Sequence, residues 1–236
     1  MMRERKIHLR CVSLVILLLT ILVVSNGLFG DTITLATSAD TFAHHSYPNN
    51  AANTATRLGV GYREEATLPY REGWIYLKFS LTSLPDDVVV TSAVLYLMEN
   101  GNLPNNSLTV STYAVTDDSW SASTLTWNNK PDTAATSTSD TVISTTANLQ
   151  WYSWNITSLV STNNAEADDI LSVCLKENPE QTTTDTWAMF VSTRDSNTSY
   201  YPYLVITYTN VPEPVTISLL GIGGIGLLFS KRSSHI

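Results

Sequence analysis

Two apolar runs stand apart in this chain, Val12–Val24 (VSLVILLLTILVV) and Val215–Phe229 (VTISLLGIGGIGLLF). Between them hydrophobic residues recur in short alternating runs. Period-two alternation places every second side chain on one face, the pattern of a half-buried strand. It predicts strands at Thr32–Thr37, Arg57–Tyr62, Trp74–Ser80, Val88–Met98 and Leu108–Val115, then at Gln150–Ile156, Ile170–Leu175, Trp187–Val191 and Tyr203–Tyr208. The Ser/Thr-rich stretch Thr133–Thr146 reads as a loop flanking a short edge strand at Thr141–Ile143. Asn100-Gly101 and Pro104-Asn105 carry turn chemistry, so Val88–Met98 and Leu108–Val115 are expected to form a hairpin. No long window in the body has 3.6-residue periodicity with good helix formers. Many short strands separated by Gly, Pro, Asn and Asp predict an all-β domain, an antiparallel jelly-roll-like β-sandwich over residues 31–210. An immunoglobulin-like sandwich is the alternative, but the Cys-Trp-Cys framework is missing.

The terminal runs read as targeting segments. Arg3, Arg5, Lys6 and Arg10 precede the first, as in the charged and apolar regions of an export signal. Its 13 residues would span roughly 20 Å as a helix, short of the ~30 Å hydrocarbon core. Cleavage is expected near Gly27 or Gly30, with an uncleaved signal anchor as the alternative, so residues 1–30 read as a signal peptide. At the other end, Pro212-Glu213-Pro214 leads into the second run, and Lys231-Arg232 follows it. An ordinary C-terminal anchor with a basic flank has similar parts. The order of triplet, short Gly-rich apolar helix and basic tail resembles the PEP-CTERM sorting signal, here residues 211–236. That resemblance implies a transmembrane sorting helix, recognition by an exosortase, transient anchoring in the inner membrane, and delivery to the cell surface or extracellular matrix of a Gram-negative bacterium that makes exopolysaccharide.

Charge narrows the partners. Residues 31–210 hold seven Lys and Arg against nineteen Asp and Glu, a formal charge of −12. A nucleic-acid partner is excluded, because neutralising phosphates needs clustered cations. An acidic glycan would need a local basic patch. Only Cys174 lies in this region, so no disulfide within it can support the fold.

Several segments in order resemble the DNRLRE domain, also described as a carbohydrate-binding module of family 96. They include Arg57-Leu58-Gly59-Val60-Gly61, Tyr76-Leu77-Lys78-Phe79 and Ser92-Ala93-Val94-Leu95-Tyr96-Leu97. Further segments are Thr124-Leu125-Thr126-Trp127-Asn128-Asn129-Lys130-Pro131 and Phe190-Val191-Ser192-Thr193-Arg194-Asp195. The resemblance implies a β-sandwich that binds polysaccharide. Ser121 and Ser123 stand where relatives often carry Glu, and Asp195 stands where Glu is common.

Sugar sites combine aromatic rings with polar donors, and Tyr62, Arg63, Tyr70, Arg71 and Trp74 form the densest such run. The two arginines suit an acidic polysaccharide. Core packing of Trp74 beside a solvated loop is the competing reading. Trp120 and Trp127 are expected to anchor a loop, and Trp151 and Trp154, three apart on a strand, must face opposite ways. Asp40, Asp117-Asp118, Asp168-Asp169 and Asp195 could supply oxygens to a structural Ca²⁺, although no calcium-loop pattern contains them. His44-His45 has no companion motif for catalysis. The chain therefore reads as a surface or matrix polysaccharide-binding module without enzymatic activity or cofactor. A structural matrix component with no specific ligand, or an exopolysaccharide lyase or hydrolase, remains open at this point.

Overall fold

The computed structural model describes residues 30–211 apart from 66–67, 103–106, 145–148, 166–168 and 181–184. Both terminal apolar runs, with Pro212, Glu213 and Pro214, lie outside the described residues. Among the described residues no helix is long and apolar enough to cross a membrane. Residues 32–86 and 90–208 form one compact unit.

Eleven strands build that unit: β1 (Asp31–Ala36), β2 (Ala39–His44), β3 (Arg57–Glu65), β4 (Leu68–Ser80), β5 (Val88–Asn102), β6 (Leu108–Val115), β7 (Ser139–Ile143), β8 (Gln150–Asn155), β9 (Ile170–Glu177), β10 (Ala188–Val191) and β11 (Tyr203–Asn210). All the expected strands are present. They form one curled antiparallel sheet in the order β1-β11-β5-β10-β3-β4-β9-β6-β7, with β2 added to β4 and β8 to β5. The sheet folds into two sandwich-like layers at β3, which pairs Arg57–Val60 with β10 and its later residues with β4. The layers are thus hydrogen-bonded to each other through one strand, in keeping with a sandwich-like antiparallel β fold.

Leu95, Leu97, Leu204 and Ile206 from one layer and Ile75, Leu77, Phe79 and Val173 from the other supply much of the interior, all close to fully buried. Each such side chain contributes about 1.5–3 kcal/mol on burial. That term must carry the fold, because Cys174 is a free, buried thiol. Trp154 locks the layers together: its indole N–H donates to the Val110 carbonyl at 2.7 Å, and its ring meets Phe190 edge-on at 5.8 Å.

Three features depart from the sequence expectation. The β5–β6 hairpin does not form, because β6 pairs with β7 and β9 in the other layer. Asn100-Gly101 instead marks a bulge in β5, where Gly101 takes φ +108°, donates its N–H to Glu99, and shifts the register against β10. Strand β2 was not anticipated. A nine-residue helix, α1 (Thr157–Ala165), follows β8. Its composition, TSLVSTNNA, is poor in helix formers. It forms because Ile156 and Val160 are buried and the Asn155 side chain accepts the Thr157 N–H at 3.1 Å.

Candidate functional site

The register of the β2–β4 and β3–β4 ladders brings distant residues to one place. His44 lies opposite Gly73 on β4, and Gly61 of β3 lies opposite the same residue. Alternation then turns Phe42, His44 and Arg71 to one face of this region and Ala43, Glu72 and Trp74 to the other. On the first face the Trp187 ring rests on two glycines. A Cβ at Gly59 would overlap the ring, and one at Gly73 would stand 2.6 Å from its Cη2.

Beside this ring lies a cavity of about 500 Å³, lined among others by Phe42, His44, Tyr47, Asn50, Arg57, Arg71, Trp187 and Met189. His44 stacks on Tyr47 at 5.2 Å and meets Trp187 edge-on at 5.8 Å. The Arg71 guanidinium lies 5.7 Å from the Trp187 ring centroid, within cation–π range. Two buried polar atoms here, His44 Nδ1 and Trp187 Nε1, have no hydrogen-bond partner among the described residues. Buried polar atoms are seldom left so, and both are closed to the cavity unless the side chains around them move. The wall is thus aromatic and the donors few and placed, as in small-molecule and sugar sites.

Burial, reinforced by the charge of Arg71 and then by His45, lowers the His44 pKa to about 4, so its imidazole is neutral at pH 7. The folded value lies below the ordinary 6.5, so between pH 6.5 and about 4 the unfolded chain binds a proton that the folded chain refuses. Stability therefore falls as pH drops through that window, and His44 has no effect above it. The expected loss is roughly 2 kcal/mol after allowing for partial solvent access. Denaturation at pH 7 and pH 4 should show wild type losing about that much more than His44→Gln; parallel losses would reject the assignment.

The linear run expected to bind sugar is divided by this geometry. Arg71 lines the cavity, whereas Trp74 stands on the opposite face. Tyr62 is buried, at 5 % exposure, and Arg63 is half-buried, opposite Arg71 in the ladder. The Tyr70 backbone belongs to β4, and its side chain lies outside the described residues. Trp74 donates to Glu72 at 2.8 Å and packs on Trp127 at 5.2 Å. Lys130 sits 3.9 Å from the Trp127 centroid, Lys176 4.4 Å from that of Trp74, and Lys78 4.5 Å from that of Trp120. These cations pin the Trp120–Pro131 loop to the sheet. Within it Asn129 Oδ1 accepts from Thr126 N at 2.6 Å, and Asn128 donates to Asn49 at 2.8 Å beside the cavity rim. The T-L-T-W-N-N-K-P segment is thereby structural, as expected for Trp120 and Trp127.

The Ser192-Thr193-Arg194 segment is structural too. Asp40, fully buried, accepts from Ser192 Oγ at 3.0 Å, Thr193 N at 2.6 Å and Arg194 Nη1 at 2.8 Å. Asp117 and Asp195 accept backbone N–H groups two residues on, at 2.9 Å and 2.8 Å. Among the described residues no three His, Cys, Asp or Glu converge as a metal site. Of the carboxylates considered for Ca²⁺, Asp168 lies outside the described residues.

Phe42, Tyr47, Asn50, Arg57, Trp187 and Met189 were not singled out from the sequence as site residues. The one local signal was glycine at positions 59 and 73, where backbone leaves room for the Trp187 ring. No curated protein matches the chain. Residues 31–208 match the model of carbohydrate-binding module family 96, and the chain belongs to that family.

Proposed function

We infer that this chain, as a member of a carbohydrate-binding module family, acts by binding carbohydrate. We propose that this chain binds an acidic polysaccharide in the cavity beside Trp187, and does so after export to the surface or extracellular matrix of a Gram-negative cell. The observation that carries the reading is the pairing of Arg57 and Arg71 with an aromatic wall in one cavity. A guanidinium matches a carboxylate in charge and in hydrogen-bond geometry, and the wall accepts the apolar face of a sugar ring. Two of the seven basic residues thus create the local patch that a body of charge −12 needs in order to hold a polyanion. The N-terminal apolar run and the tail around Pro212-Glu213-Pro214 support delivery, with an exosortase as the processing partner and the membrane as a transient one. Affinity electrophoresis of the full chain in alginate gels tests the binding. Arg57→Ala and Arg71→Ala are each expected to weaken retardation about ten-fold, the equivalent of ~1.4 kcal/mol. Unchanged retardation in both variants would remove the cavity as the site.

A further inference from the structure

A second group of rings lies on the outer face of the other layer. Tyr96 of β5 alternates with the fully buried Leu95 and Leu97, Trp151 of β8 precedes the buried Tyr152, and Tyr203 of β11 precedes the fully buried Leu204. All three rings are half-buried and point away from the interior. Tyr203 stacks on Tyr96 with centroids 4.9 Å and planes 13° apart, and Trp151 meets it at 5.1 Å and 70°. The neighbouring outward positions are Ser153, opposite Tyr96, Asn155, opposite Val94, and Val205 and Thr207 along β11. None of them is charged.

We infer that these rings form a second carbohydrate site, for a neutral polysaccharide strand. The inference rests on the family's carbohydrate binding and stands apart from the cavity proposed above. Pyranose rings present C–H faces that pack on aromatic surfaces and hydroxyl edges that bond to Ser, Thr and Asn. With no cation among these named positions, a uronate or sulfate is disfavoured, since its charge would lie unpaired against a body of charge −12. Charge selects against a second copy of the chain, since two bodies of charge −12 repel.

The full chain run in native gels containing soluble mixed-linkage β-glucan tests this, with alginate gels alongside. Wild type should be retarded by the β-glucan. Trp151→Ala and Tyr203→Ala should each lose about ten-fold or more in affinity, Trp151→Phe should keep most of it, and alginate retardation should change less than about two-fold. Arg71→Ala should show the reverse preference. Failure of wild type to bind β-glucan, or equal binding by Trp151→Ala, overturns the inference, as does equal loss on both glycans. A concentration-dependent dimer in sedimentation that Trp151→Ala abolishes overturns it in favour of self-association. If β-glucan binding behaves as stated while alginate binding fails, the cavity reading falls and this one stands.

Discussion

Trp187→Ala is expected to destabilise the domain by about 3–5 kcal/mol, the range for truncating a large buried aromatic, and to abolish retention on alginate. The ring is 1 % exposed, carries the Arg71 guanidinium on its face, and supports the wall of the cavity. Its two glycine contacts make the cause separable from simple loss of volume. Gly59→Ala adds one methyl where the ring already lies, so either the ring or β3 must move. Overpacking of this kind costs about 1–3 kcal/mol, or a fall of about 2–12 °C in melting temperature for a domain of this size. In the Trp187→Ala background the same methyl has space and should cost close to nothing. Chemical denaturation of the two single variants and the double variant gives the coupling. Additive effects would mean that the ring and Gly59 do not compete for one volume.

Arg194→Ala is expected to cost about 3–5 kcal/mol, because it strands a fully buried carboxylate. Asp40→Asn should cost less. It leaves the charge on Arg194, whose side chain is 26 % exposed and can take up water. Removing both groups together, as Asp40→Ala with Arg194→Ala, should cost less than the sum of the single alanine changes. Urea denaturation at pH 7 orders these variants, and a larger loss for Asp40→Asn than for Arg194→Ala would contradict the account.

The strands were legible because a half-buried strand writes its period into the chain. Tyr203–Tyr208 (YLVITY) is a run rich in β-branched and aromatic residues, and β11 follows it with strictly alternating burial over those six residues. Strand β2 was not, since Ala39–His44 (ADTFAH) places a fully buried Asp40 where alternation calls for an apolar residue, and only the fold supplies the Arg194 that makes this tolerable. Which strands pair was equally hidden. Asn100-Gly101 offered a hairpin turn, and the alternative partners of β6 lie tens of residues further along.

The site shows the same division. Trp151 and Trp154, three apart, were expected on opposite faces, and Trp154 is fully buried while Trp151 is outside. The same arithmetic separates Arg71 from Trp74, which a reading by linear density had joined. The cavity itself draws on residues 42 to 71 and then on 187 and 189, so its assembly depends on register between segments more than a hundred residues apart. Composition could say that a local basic patch was needed, but not that Arg57 would share it with Arg71.

Strand β3 gives the domain a mechanical character. It is hydrogen-bonded to β10 over its first four residues and to β4 over its later ones. Neither layer can slide or hinge away from the other unless this strand's own ladder gives way together with the Trp154 bridge to Val110. A tug on a bound polymer would meet one shared barrier to yielding, where two independent sheets would have offered two weaker ones.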